Sequence, residues 1–301
     1  IRASVASRGL GDVYKRQQKG MVASAHPLAS KAGARILEKG GNAIDAAIAV
    51  GSSLSVVEPY MSGVGGVGVC LVYLAAEKRT RALNFSGRCP SNIDVNEITQ
   101  NQLNEGPLSS LIPGIVIGWS ELHQKYGSLQ WESLFESSID YSINGYKLTQ
   151  LGNHVISESL TKLASSKEAS ELILNDLYEV PEPGTTIKMP FLGNTLKEIS
   201  KDRSAFYRGE LAETIVDGNN AYGGTFSIED LHSYQPEWQT PVGINFKGYD
   251  VLTTPPNSSG FQILQTLKIL EETEFDLSLI HISEPTRRYA IAYADFCLKK
   301  K

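Results

Sequence analysis

A mixed α/β (α+β) fold is what the sequence predicts, and three observations carry it. Residues 20–68 hold two small-residue helical patterns that lead into a glycine-dense loop and then an apolar strand run. Apolar residues recur at helical spacing again through 112–139 and after Ser259. Between these, Val242, Ile244 and Phe246 alternate, and Tyr249, Val251 and Thr253 alternate in the opposite phase. That phase break at Lys247-Gly248 is the mark of a two-residue hairpin loop.

Taken in order, Leu28, Ala32, Ile36 and Leu37 form the apolar stripe of the first helix, and Gly40-Gly41 stops it. Asn42 caps the second, in which Ala43, Ala46, Ala47 and Val50 recur. Small residues on both helices permit close backbone approach and suit burial. Glu58-Pro59 ends the helical run. After the loop Ser62–Gly68, the run Val69–Leu74 reads as a buried strand. A turn at 77–80 returns the chain as a second strand, Ala82–Phe85, completing a hairpin. Ser86–Pro90 is a loop, because Pro90 keeps Cys89 out of the helical region. A short helix lies between Ile93 and Leu103.

Ile112-Pro113-Gly114 opens a stronger helix with Ile115, Trp119, Leu122 and Tyr126 on one side and Gly127 at its end. Ser128 caps the next, where Trp131, Leu134, Phe135 and Ile139 share a face that Gly145 terminates. Further on come a turn at 181–184, a helix over 194–200 carrying Leu196 and Ile199, and a helix that Gly218 ends. Ser227 and Asp230 read as a capping box. A Ser-capped helix with Phe261, Leu264, Leu267 and Leu270 along one side follows the Pro-Pro turn.

A chain of 301 residues can bury roughly three-quarters of its unfolded surface, enough for a sizeable core. Its net charge of −5 gives no electrostatic footprint for nucleic acid or an anionic membrane, so neither is expected as a partner. No run approaches the ~18 apolar residues of a membrane-spanning helix. Cys70, Cys89 and Cys297 lie far apart and form no C-x-x-C, so they read as buried thiols.

Gly63, Gly65 and Gly68 spell G-x-G-x-x-G, but a dinucleotide loop needs a strand before it and a helix after. Here the order is reversed, so no nucleotide cofactor is expected. His26, His123, His154, His232 and His281 show no metal-ligand spacing, and no metal is expected. His123 sits beside an apolar stripe and reads as a surface or satisfied side chain rather than a base. No G-x-S-x-G elbow is present. Carboxylate pairs such as Glu229 and Asp230 read as a solvated face.

GMVASAHPLASKAG, GGNAIDAAIAV, VVEP and SGVGG stand in that order within fifty residues. IPGIVIGWSELHQKYGSLQWESLF, FYRGELAETIV, GGTFSIEDLHSYQPEW, FKGYDVLTTPPNSSG and YAIAYADF follow. This series resembles the large subunit of gamma-glutamyltranspeptidases (glutathione hydrolases), over about 20–277 and 289–296. The resemblance implies part of a four-layer αββα N-terminal-nucleophile hydrolase fold, incomplete without a small subunit of the same precursor. It also implies self-cleavage, which frees a threonine that uses its own α-amine as base. That threonine belongs to the small subunit, so no catalytic residue is expected within these residues, and the chain alone is expected to be inactive.

In the family pattern an arginine after the second strand grips the α-carboxylate of the glutamyl group, as its fork suits. Aligned on Pro90, that position is Ser86, and the nearest arginine is Arg88. This departure resembles an S-G-R-x-P branch and makes Ser86 and Arg88 the candidate substrate-binding residues. Arg88 either substitutes from a shifted loop or makes only a surface ion pair. Three functions are therefore weighed. One is a gamma-glutamyltranspeptidase-like enzyme acting on glutathione and related small amides. The others are an amidase of the same superfold, similar to cephalosporin acylases, and a non-catalytic binding module. Residues 1–17 and 278–288 are similar to strings that recur in unrelated translated short-read assemblies and are expected to be non-native. The remaining 18–301 is expected to be a single large-subunit domain, cut short at its C-terminal side.

Overall fold

The computed structural model describes residues 20–272, apart from 95, 97, 165, 166 and 176. The two segments expected to be non-native, the motif at 289–296, His281 and Cys297 lie outside the described residues. The first helices are α1 (Pro27–Glu38) and α2 (Ala43–Val57), followed by strands β1 (Gly68–Leu74) and β2 (Arg79–Phe85). Next come α3 (Gln100–Asn104), α4 (Ile115–Tyr126), a 3₁₀ turn at Trp131–Phe135 and α5 (Glu136–Ile143). The short strand β3 (Tyr146–Lys147) leads to α6 (Gln150–Glu158), α7 (Leu160–Ala164), α8 (Lys167–Ile173) and β4 (Thr186–Ile187). The last described elements are α9 (Pro190–Lys201), α10 (Glu210–Ala221), α11 (Ile228–Ser233), β5 (Glu237–Gln239), β6 (Val242–Phe246), β7 (Tyr249–Thr253) and α12 (Gly260–Glu271). Helix and sheet are mixed as expected. The described residues group into two compact units, one up to Val69 with Leu83–Trp238, the other Cys70–Ala82 with the chain from Gln239 on.

In the first unit, α1 begins where Nδ1 of the buried His26 accepts the Leu28 N–H at 3.1 Å. It ends in a Schellman turn: the Gly40 N–H donates to the Leu37 carbonyl and the Gly41 N–H to the Ile36 carbonyl. Gly40 takes a φ of 91°, so the glycine stop read from sequence stands on its backbone freedom. The face that α1 buries is Ala29, Ala32, Gly33 and Ile36, with Leu28 and Leu37 only half-buried. Close approach explains the difference, since a Cβ on Gly33 would meet Val50 at 2.6 Å. The small residues sit at the contact, and the larger leucines flank it.

Asn42 caps α2 as expected, accepting the Ile44 and Asp45 N–H groups while Asp45 accepts the Asn42 N–H at 2.9 Å. Asp45 is fully buried, and its carboxylate also takes the Ser128 N–H, the Ser128 hydroxyl at 2.5 Å and the Leu129 N–H. A carboxylate without water needs such donors, and Ser128 is drawn to it. Ser128 therefore does not cap the following segment, which opens as a 3₁₀ turn with no side-chain cap. Trp131, Leu134 and Phe135 are buried there, Trp131 Nε1 donates to the Ile199 carbonyl at 2.8 Å, and Leu196 and Ile199 of α9 are fully buried. Around α2, then, lie α1, α4, α5 and the 3₁₀ turn, which makes it the central helix of this unit.

Two glycine and strand expectations need correction. Gly218 lies inside α10, which runs on to Ala221; the chain turns at Gly223, whose φ of 88° is the one that breaks a helix. β1 is not a buried strand but alternates, leaving Val69, Leu71 and Tyr73 exposed. It is an outer strand in the order β1-β2-β5, and one of its faces is open among the described residues.

In the second unit, β6 and β7 pair antiparallel from Val242↔Thr253 to Phe246↔Tyr249. Lys247 and Gly248 both have positive φ, 47° and 87°, the two-residue turn that the phase break predicts. α12 follows, but Ser259 makes no side-chain cap and only Leu264 is buried. Phe261 is exposed, and Leu267 and Leu270 are half-buried.

Candidate functional site

β2 ends at Phe85, a buried side chain closed in by glycines. A Cβ on Gly68 would meet its ring at 2.5 Å, one on Gly118 would strike the same ring, and one on Gly114 would strike the Phe85 carbonyl. The missing side chains let the first turn of α4 approach the Gly63–Gly68 loop. There the Gly114 and Ile115 N–H groups both donate to the Gly66 carbonyl, at 3.0 and 3.1 Å. The loop follows helix α2 and precedes strand β1, the reverse of a dinucleotide site. Gly68 packs against Phe85, and the Gly66 N–H closes a turn on the Gly63 carbonyl at 3.0 Å.

The loop carrying both predicted site residues, Ser86–Pro90, is tied at several points. Ser86 donates its N–H to Asn84 Oδ1 at 3.0 Å. Gly87 has a φ of 81° and donates its N–H to the Tyr234 hydroxyl at 3.1 Å. The Arg88 carbonyl accepts the Ile112 N–H at 2.8 Å, Pro90 is buried, and the Ser91 N–H donates to Asp230 Oδ1 at 3.1 Å. Tyr234 and Asp230 thus hold the middle and the end of the loop from one short stretch around α11. The capping box read at Ser227 and Asp230 forms, and the same carboxylate serves both tasks.

Sequence reasoning brought Ser86 and Arg88 to one loop, and the structure keeps them there. It missed Tyr234, Asp230 and Gly87 as the residues that shape it. Gly87 stood beside Arg88 as a local signal for a turn, whereas Tyr234 lies 147 positions away and offered none.

Arg88 is exposed, and its guanidinium lies 5.9 Å from the centre of the Tyr234 ring. Among the described residues no carboxylate lies within 4.0 Å of it, so the surface ion pair weighed from sequence is not made. Burial raises the Tyr234 pKa, and the Gly87 N–H and the Arg88 charge offset part of that. Burial also works to raise the Asp230 carboxyl, but hydrogen bonds from Ser227 and Ser91 outweigh it and hold the group below its ordinary value. Chemically, the arrangement offers an unpaired guanidinium fork on a braced loop, suited to a carboxylate.

The other candidates carry structure. Nε2 of His123 bonds the Leu129 carbonyl at 2.9 Å and its ring meets Trp131 edge-on at 5.3 Å, while its buried Nδ1 has no hydrogen-bond partner. His154 is exposed beside Glu158. Cys70 and Cys89 are free thiols; Cys70 is half-buried and burial raises its pKa, whereas Cys89 is exposed rather than buried as expected. Among the described residues no group of His, Cys, Asp and Glu is placed to hold a metal, and no helix is long and apolar enough to cross a membrane.

The fold places the chain among N-terminal-nucleophile hydrolases. Gamma-glutamyltranspeptidase from Helicobacter pylori superposes with a TM-score of 0.83 at 30% identity, over 87% of this chain and 77% of that one. Cephalosporin acylase from Bacillus halodurans gives 0.78 at 32%, over 85% and 50%. The family model for gamma-glutamyltranspeptidase matches residues 29–294, and the chain belongs to that family. The glutathione hydrolase-like YwrD proenzyme of Bacillus subtilis is 38% identical over 261 residues, 85% of this chain and 50% of that protein. The chain spans about half the length of the curated relatives it matches.

Proposed function

We propose that this chain is the large-subunit part of a self-processing enzyme that hydrolyses or transfers gamma-glutamyl groups of glutathione and related amides. The reacting threonine comes from a small subunit of the same precursor, and residues 18–301 form one large-subunit domain. Arg88 takes the substrate carboxylate, and Ser86 lines the same loop. The observation that carries the assignment is the braced Gly87–Ser91 backbone beneath an exposed, unpaired Arg88. A bidentate guanidinium–carboxylate pair is worth most when the loop need not be ordered on binding.

The test uses the processed two-subunit enzyme and a gamma-glutamyl anilide. Arg88→Ala is expected to lower kcat/KM by about tenfold or more, the scale of one lost charge-assisted pair. Unchanged kcat/KM would remove Arg88 as the anchor. The 301 residues alone are expected to give no turnover. A second function is favoured by one observation: Ser86 stands where the family pattern has arginine, and a cephalosporin acylase is among the similar structures. An enzyme that processes itself, ignores the anilide and cleaves a non-glutamyl amide would be an acylase instead.

A further inference from the structure

A cavity of about 240 Å³ opens beside α4 and α11, at the segment running from Arg203 to Arg208. Its inner wall is tied to the backbone of α4. The Tyr207 hydroxyl donates to the Pro113 carbonyl at 2.9 Å and accepts the Ile117 N–H at 3.1 Å, while Leu231 and Ser120 are buried. Arg203 lies over the Trp131 ring at 4.9 Å, which fixes its guanidinium in place. Arg208 stands at the rim and His232 is half-buried in the lining.

The charges are unbalanced. Among the described residues neither arginine has a carboxylate within 4.0 Å. The carboxylate next to Arg203 in sequence, Asp202, accepts the Ser204 N–H at 2.8 Å and the Ser204 hydroxyl at 2.7 Å. Glu121 lines the cavity and keeps its charge while its Oε1 accepts Trp238 Nε1 at 2.6 Å, so the lining carries two guanidinium charges against one carboxylate. Burial lowers the Arg203 pKa, as expected of a cation partly withdrawn from water without a counter-charge. Ser120 Oγ accepts from Gln124 Nε2 at 3.2 Å, which leaves its own proton free to donate.

We propose that this cavity binds a small molecule through an oxyanion, carboxylate or phosphate, held between Arg203 and Arg208, with Ser120 and His232 as further donors. Guanidinium forks match both groups in geometry, and the stacked Arg203 loses little freedom on pairing. The volume admits a single small acid rather than a peptide or polymer.

The experiment is calorimetric titration of the 301-residue chain with inorganic phosphate and, separately, with glutarate at constant chloride. Saturable binding of one of them is expected, and which one binds tells phosphate from carboxylate. Arg208→Gln, at an exposed position, is expected to weaken that binding about tenfold, the scale of one charge-assisted hydrogen bond. Arg203→Gln should do the same and also abolish any change in Trp131 fluorescence on titration. If Arg203→Gln lowers the melting temperature through the lost stacking, Arg208→Gln alone decides. No saturable binding of either anion, or an affinity that Arg208→Gln leaves unchanged, overturns the proposal.

Discussion

Asp230 shows how one carboxylate can serve two chain segments: it accepts the Ser227 N–H to close the cap of α11 and the Ser91 N–H to anchor the end of the candidate loop. Its pKa is held below the ordinary value, so the stability it contributes is complete above the unfolded-state pKa and is lost as pH falls through the folded one. Asp230→Asn should therefore lower the melting temperature at pH 7, and the gap from the parent should close as pH is taken into the acid range. A gap that persists at low pH would show that the residue acts by packing alone. At this scale the sequence was partly legible. Ser227 and Asp230 stood at capping distance, and Arg88 stood near a recognisable proline. The Ser91 contact lies 139 residues from Asp230, and no local rule places it. Ser128 failed for the same reason, because a buried carboxylate 83 positions away took its hydroxyl.

Helices and hairpins were the most readable features, because their signals are local. The Gly40-Gly41 stop, the Asn42 cap and the Lys247-Gly248 turn each need only a few neighbouring residues, and each formed. Less readable was what each glycine does. Gly118 sits where any Cβ would strike the Phe85 ring, whereas Gly218 is exposed, helical and has open space around it. Gly118→Ala is thus expected to destabilise the chain by about 1–3 kcal/mol through overpacking. Gly218→Ala should stabilise it by roughly 0.5–1 kcal/mol by raising helix propensity. Urea unfolding of both variants checks the pair, and equal effects of one sign would contradict the packing assigned to Gly118. Both glycines stand in helical patterns, so spacing alone could not tell them apart. Of the α1 stripe read from sequence, Ala32 and Ile36 are buried, while Leu28 and Leu37 give way to Ala29 and Gly33, where α2 comes close.

For the whole molecule, the ordered series of motifs pointed to the family that the family model matches, while composition said little. Strand burial was the weakest part of the sequence reading. An apolar run such as Val69–Leu74 fits a sandwiched strand or an open one, and only pairing decides. Here β1 lies at the end of the β1-β2-β5 order, with Val69, Leu71 and Tyr73 at 42%, 42% and 63% exposure. Such a strand is a template for another copy's strand unless something covers it. Made by itself, the chain should be a poor candidate for concentrated storage: light scattering is expected to grow with protein concentration, and Leu71→Lys to suppress that growth. Equal scattering from both proteins would locate the sticky surface elsewhere. A sample prepared for the anion titrations therefore keeps better dilute, since its shelf life is set by one open strand.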